Sequence, residues 1–313
     1  MSLPSTNHPR VATSGSHIAS NDDARSSVLG EYWELTKPRL SMLSVITAVV
    51  GYLAADPNKN LLALASVLIG TSFAAGAAGA LNQYLEREVD KRMARTRNRP
   101  LPAGVISPER ALLFGMTLAF LGTLILWFGA NPLSAALVLV TLFSYLLVYT
   151  PLKQITSWNT IIGAVPGALP PLVGWAAARD SLGALGWVLF GILFCWQIPH
   201  FMAIAWTYRK DYADGGFVMA TKTDPSGRSA GYQSIAFAAL LVAISVVPCF
   251  YGYNNWLPYG IVAVITGGWY LWLSIRFTFA EKKEKPARKL FFASISYLPL
   301  VLAVFVVDRL FLI

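Results

Sequence analysis

The sequence predicts an all-α, polytopic membrane protein with nine transmembrane helices. Three observations carry that prediction. Of 313 residues, 55% are apolar and only 13% charged, where a soluble domain carries about 25% charged residues. The apolar residues gather into runs of the ~20 residues that cross a bilayer. Lys and Arg concentrate in alternate loops between those runs. A secreted disulfide-rich module, a disordered tail protein and a cytosolic enzyme are all excluded. Cys195 and Cys249, the only cysteines, lie inside apolar runs and show no C-x-x-C spacing. Neither a structural disulfide nor a cysteine metal site is expected. The net charge of +9 follows from membrane topology and calls for no nucleic acid partner.

Residues 1–27 are polar, rich in Ser and Asn and without an apolar signal core. They read as a disordered cytoplasmic tail, which leaves 28–313 as one membrane domain. The spans fall at roughly 38–55, 61–84, 109–129, 133–150, 160–178, 184–206, 231–252, 257–280 and 290–312, most of them separated by Pro, Gly, Asn or a charge. The second is rich in small residues from Gly70 to Gly79, which suits close helix packing in lipid. The fifth carries Gly163, Pro166, Gly167, Pro170, Pro171 and Gly174, as broken helices around intramembrane cavities do. In the sixth, Pro199 frees the carbonyl of Cys195 and predicts a bend. One set of loops holds 20 Lys and Arg; the other holds Lys59, Arg179 and Arg309. The positive-inside rule then places the N-terminus in the cytoplasm and the C-terminus outside.

The two longest loops share the cytoplasmic side. If the second helix continues past the membrane, Asn82, Glu86 and Asp90 stand at i, i+4 and i+8. Steps of about 400° keep them within roughly 80° of one another, while Glu88 faces away. Two carboxylates ~6 Å apart repel by about 3 kcal/mol at an effective dielectric of 20, and a divalent cation relieves that. Oxygen ligands with substrate phosphates suit Mg²⁺. The same run also reads as an interfacial helix end whose acids pair with Arg87, Lys91 and Arg92. The following Arg95-Thr-Arg-Asn-Arg99-Pro-Leu-Pro-Ala-Gly104 presents guanidinium forks matched to phosphate oxygens, so a diphosphate site is expected here.

The second loop repeats the composition, with Arg209 and Lys210 beside Asp211 and Asp214. Two such patches on one face can close around one magnesium–diphosphate unit. His200, just after Pro199, is the only histidine inside a span; an intramembrane ionisable group is functional by default, and the bend is expected to aim its ring inward. Tyr145, Tyr149 and Lys153 end the fourth span at steps of four. Lys153 can meet a diphosphate as a point charge or snorkel beside an aromatic belt.

Together, Asn82-x3-Glu86-x3-Asp90, RTRNRPLPAG, YTPLKQITSWNTIIGAVPGALPPLVGW, WQIPHF and DYADGG resemble the UbiA-like intramembrane prenyltransferases, over about residues 30–310. Within them they resemble the branch whose acceptor is haem. The resemblance implies a nine-helix bundle around a lipid-accessible cavity, so that 28–313 is an intramembrane prenyltransferase domain. It implies that farnesyl diphosphate adds, with water, to a vinyl group of haem B, a substrate and not a fixed cofactor, giving the hydroxyethylfarnesyl group of haem O. It implies Mg²⁺ on Asn82, Glu86, Asp90 and Asp211, with Asp214 beside them, and anion binding by Arg95 and Arg99. Lys153, Arg209 and Lys210 would add charge, with Tyr149 facing the prenyl cation. The basic residues serve diphosphate or haem propionates equally well. His200 is implied as the haem-branch histidine, as an iron ligand or a propionate partner. Thr207 stands where the wider family has an acid. The implied setting is a bacterial inner membrane, with a downstream haem-processing enzyme or oxidase assembly factor as a further partner.

Overall fold

The computed structural model describes residues 28–55, 60–251 and 256–311. The tail 1–27 and Lys59 lie outside the described residues. Among those described there is no strand, and nine helical spans are long and apolar enough to cross a membrane. They run Pro38–Ala55, Leu61–Asp90, Pro108–Gly129, Pro132–Leu152, Asn159–Arg179, Ala184–Thr207, Arg228–Phe250, Leu257–Phe279 and Glu284–Arg309. Each overlaps a span read from the sequence.

A short helix α1 (Val28–Leu35) leads into α2 (Pro38–Ala55) and the long α3 (Leu61–Asp90). The Asn60 side chain caps α3 by accepting from the Leu62 and Ala63 amides, which satisfies donors that a helix start leaves unpaired. Next come α4 (Pro108–Gly129), with Ser107 as its cap, and α5 (Pro132–Phe143), capped by Asn131. The Asn131 amide group also donates to the Ala176 carbonyl at 2.7 Å, tying this turn to the fifth span.

That fourth span does not end as a plain α-helix. Ser144–Tyr149 forms a π-helical turn before α6 (Thr150–Leu152). Pro151 has no N–H for the carbonyl four residues back, and the wider register takes over, with the Thr150 amide bonding to Tyr145 O. The fifth span is likewise broken, into α7 (Asn159–Ala168) and α8 (Pro170–Arg179), at the Pro170-Pro171 pair. Pro199, in contrast, lies within an unbroken α9 (Ala184–Thr207). Two short helices, α10 (Arg209–Asp214) and α11 (Ala220–Thr223), fill the second long loop. Then α12 (Arg228–Val246), α13 (Trp256–Phe279) and α14 (Glu284–Phe311) complete the chain.

The helices pack around two main apolar cores. One joins α7, α9 and α12–α14 through Leu189, Ile192, Met202, Tyr270, Phe277 and Tyr297. The other joins α2–α5 and α8 through Tyr52, Val67, Leu126, Leu142 and Leu172. Backbones meet closely where α2 crosses α8: a Cβ added at Gly51 or Gly174 would strike the carbonyl of Pro171 or Ala48. Small residues permit such contacts in lipid, where packing replaces the hydrophobic drive.

The two ends of α2 differ. At the C-terminal end, Arg179 Nε donates to Ala55 O at 2.7 Å and Arg309 Nε to Ala54 O at 3.0 Å. Two of the three basic residues assigned outside thus answer carbonyls that the helix end leaves free. The opposite half of α2 is uncovered, with Leu40 70% exposed and Met42, Leu43 and Ile46 exposed beside it.

Candidate active site

Because α3 stays helical to Asp90, Asn82, Glu86 and Asp90 share one face as the spacing requires. All three are buried, at 1%, 5% and 1% exposure. Glu88, on the opposite face, pairs with Lys91 at 3.1 Å and Arg87 at 3.8 Å. Local pairing therefore occupies Glu88 and leaves the buried acids to more distant partners. Arg99 Nη1 donates to Asp90 Oδ2 at 2.7 Å, Lys153 Nζ to Glu86 Oε1 at 2.9 Å, and Lys37 Nζ to Asn82 Oδ1 at 2.6 Å. Asn82 Nδ2 in turn donates to Glu86 Oε2 at 3.0 Å and to Thr150 Oγ1 at 3.3 Å. The π-helical turn that ends the fourth span is what brings Thr150 and Lys153 to this face.

These groups line a cavity of about 180 Å³, with Leu40, Arg95, Tyr145, Tyr149, Phe201, Ile204, Tyr212 and Phe217 completing its wall. Three cations (Arg95, Arg99, Lys153) and the Lys37 amine face two carboxylates there, a surplus that favours an anionic ligand. Lys153 Nζ lies 4.6 Å from the Tyr149 ring centroid. The cost of burying its ammonium is outweighed by Tyr149 and Glu86, and its pKa is raised. Burial, reinforced by the Arg99 guanidinium, lowers the Lys37 ammonium to about 7. Leu40 lines the cavity while 70% exposed, so the cavity opens sideways beside the uncovered half of α2. Gly163 is required behind it, since a Cβ there would overlap the Tyr149 ring.

The second loop packs against the first without bringing its acids to the cavity. Arg95 lies over the rings of Tyr208 and Tyr212, at 5.5 and 5.9 Å. The Val218 amide donates to Lys153 O at 2.8 Å, and Asn159 Nδ2 to Val218 O at 2.7 Å. Tyr212 and Phe217 reach the cavity, but Asp211 lines a separate, more open cleft with Thr207–Lys210, and Asp214 is exposed. Arg209 turns away to pair with Glu284 at 3.1 Å, and Lys210 is exposed. Among the described residues, no three His, Cys, Asp or Glu side chains converge on one point. The two acid patches, expected to close on one centre, stand apart here because α10 turns its Tyr212 face, not its acids, inward.

His200 also departs from expectation. Its ring does not line the cavity; Nδ1 sits 2.6 Å from Ser294 Oγ on α14. With Pro199 inside a continuous helix, the neighbouring Phe201 and Ile204 take the cavity-facing positions. Lys37 enters the sequence reading only as one of the 20 basic residues of the charge-rich set. The signal was its position, immediately before Pro38 at the mouth of the first span. Lys37 also adopts a left-handed backbone, φ 50°, which costs roughly 1–2 kcal/mol and sets its side chain into the cavity.

The donor set suits a hard divalent cation: oxygen atoms of an amide and two carboxylates on one buried face, with basic groups already drawn to them. Residues 44–295 match the model of the UbiA prenyltransferase family. The protohaem IX farnesyltransferase of Opitutus terrae is 49% identical over 94% of this chain and 99% of that one. The protohaem IX farnesyltransferase of Solibacter usitatus is 42% identical over 89% and 98%. A solved digeranylgeranylglyceryl phosphate synthase superposes with a TM-score of 0.76 at 18% identity, over 90% of this chain and 98% of that one. A UbiA homologue from Archaeoglobus fulgidus, bound to DMAPP and Mg²⁺, gives 0.70 at 15% identity, over 89% and 97%.

Proposed function

The chain belongs to the UbiA prenyltransferase family, and from that premise we propose how its cavity moves a farnesyl group from farnesyl diphosphate to haem. The protein is a multi-pass membrane prenyltransferase with haem as acceptor, the activity named for relatives 49% and 42% identical to it. The observation that carries the mechanism is the buried Asn82–Glu86–Asp90 face, set among four basic side chains in a cavity open to the side. A cavity of about 180 Å³ takes a diphosphate head. Pockets that enclose larger ligands run to ~300–1,000 Å³, so the macrocycle stays at the mouth.

Mg²⁺ is the expected cation, as in the Archaeoglobus relative. Asn82, Glu86 and Asp90 would hold it, and Asp211, beside the lining Tyr212, is the second-loop acid nearest to joining them; exposed Asp214 has the weaker claim. Bound there, the ion supplies Lewis-acid screening of the departing diphosphate. Arg95, Arg99, Lys37 and Lys153 take up the negative charge that grows on the diphosphate as its C–O bond breaks and both electrons leave with oxygen. The allylic cation left on farnesyl meets the faces of Tyr145 and Tyr149, while Leu40, Phe201 and Ile204 keep water away. The vinyl π electrons of haem B form the new C–C bond. The cation then left beside the macrocycle takes water and releases a proton, giving haem O and diphosphate. Arg209 and Lys210, outside the cavity, fit the propionates better than the diphosphate. The site faces the cytoplasm, with the N-terminus on the same side, as the loop charges require.

The test is direct. Purified protein in lipid, given haem B, farnesyl diphosphate and Mg²⁺, should yield haem O by mass spectrometry of the extracted pigments. Prenylation of an aromatic or quinone precursor in preference to haem would keep the mechanism and overturn the acceptor.

A further inference from the structure

The buried amide of Asn82 is held in one orientation. Its Oδ1 accepts from Lys37 Nζ at 2.6 Å, and its Nδ2 donates to Glu86 Oε2 at 3.0 Å and to Thr150 Oγ1 at 3.3 Å. Two amide protons thus meet two acceptors. Turned over, the amide would set its oxygen against the Glu86 carboxylate, two acceptors with no proton between them.

Thr150, also buried, is committed in the same way. Its hydroxyl donates to Tyr145 O at 2.9 Å, which uses its single proton. Toward Asn82 the oxygen can only accept, so a flipped amide would find no donor there either. This geometry belongs to the π-helical turn. A threonine inside an α-helix bonds a carbonyl three or four residues back. Thr150 reaches back five, and the same Tyr145 carbonyl also takes the Thr150 amide. The wide turn keeps the hydroxyl proton away from Asn82.

The two acceptors of Nδ2 have different fates when a cation enters. Glu86 is drawn to the metal and leaves the amide. Thr150 carries no charge and stays where the turn holds it. A hard cation takes the amide oxygen and not the nitrogen, so the group that retains Nδ2 decides whether Asn82 offers the right atom.

We propose that Thr150 is a positioning residue for the metal: its hydroxyl, fixed as an acceptor by the π-helical turn, holds Asn82 Nδ2 and keeps Oδ1 toward the cation after Glu86 has turned away. This rests on the reading of Asn82 as a metal ligand. Hydrogen bonds that orient a metal ligand from behind typically change affinity about 10–100-fold when lost.

The experiment follows Mn²⁺ binding by electron paramagnetic resonance, on the full-length protein in nanodiscs with a non-hydrolysable farnesyl diphosphate analogue. Asn82→Ala should bind Mn²⁺ more weakly than wild type. Thr150→Val, which keeps the shape and the backbone amide, should bind about 10-fold more weakly, and Thr150→Ser should restore the affinity. Thr150→Ala loses the hydroxyl with less bulk and is read in the same way should Thr150→Val not fold. The sharper comparison uses Asn82→Asp, because a carboxylate offers oxygen whichever way it faces. In that background Thr150→Val should change the affinity by less than about 2-fold, the non-additivity expected of two residues that act through one contact. An equal loss in both backgrounds would overturn the proposal by reducing Thr150 to a support of the turn. Wild-type affinity in Thr150→Val beside weakened binding in Asn82→Ala would overturn the proposal alone. Wild-type affinity in Asn82→Ala would overturn the metal reading of Asn82, and the proposal with it.

Discussion

Each side chain of the acid face has its own base: Asp90 has Arg99, Glu86 has Lys153, and Asn82 has Lys37. Uptake of substrate requires these partners to exchange, the acids turning to the metal and the bases to the diphosphate. Mg²⁺ alone would meet cations, and diphosphate alone would meet carboxylates. The two should therefore bind with strong positive coupling: calorimetry of a non-hydrolysable farnesyl diphosphate analogue should show ~10–100-fold tighter binding with saturating Mg²⁺ than with none. Glu86→Ala and Asp90→Ala should each lower turnover by ~100-fold or more, with the protein still inserted and monodisperse; near-normal rates over a range of Mg²⁺ would remove the metal assignment. At this scale the sequence was informative where motifs and local spacing speak: Arg95, Arg99, Tyr149 and Lys153, read as site residues, line the cavity. Spacing placed Asn82, Glu86 and Asp90 on one face, because helical geometry is local. Lys37 lies 45 residues from Asn82 and His200 lies 94 residues from Ser294, and periodicity holds no record of such pairings.

Most elements were legible, since runs of ~20 apolar residues have few alternatives in lipid. The breakers in the fifth span pointed to an interrupted helix beside a cavity, and the chain does break there, at Pro170-Pro171. The π-helical turn of Ser144–Tyr149 was not legible. Steps of four from Tyr145 to Lys153 describe a regular helix, whereas the register widens in the turn before Pro151, which has no amide to offer it. Gly163 belongs to this scale, for it lets α7 approach that turn and leaves room for the Tyr149 ring. Gly163→Ala should push the ring into the cavity. A kcat reduced ~10-fold or more, with thermal stability in detergent nearly unchanged, is the expected outcome. An equal loss of stability and rate would instead make Gly163 a packing residue.

For the whole molecule, the charge asymmetry predicts which side the site faces. Reporter fusions in the 85–108 loop should score as cytoplasmic, and a fusion after 313 as external; the reverse would move the cavity to the other side of the membrane. Two of the three basic residues of the sparse set of loops bind the C-terminal end of α2, through Arg179 and Arg309. That end of α2 is pinned, while the half beside Leu40 is bare and the cavity opens next to it. The consequence concerns the dimension in which the enzyme meets its substrates. A site that opens sideways into lipid samples molecules per unit of membrane area, not per litre, so its supply is a two-dimensional concentration. Adding inert lipid to proteoliposomes, at fixed total farnesyl diphosphate and haem, should slow the reaction in proportion to the lipid added. An enzyme fed from water would keep its rate.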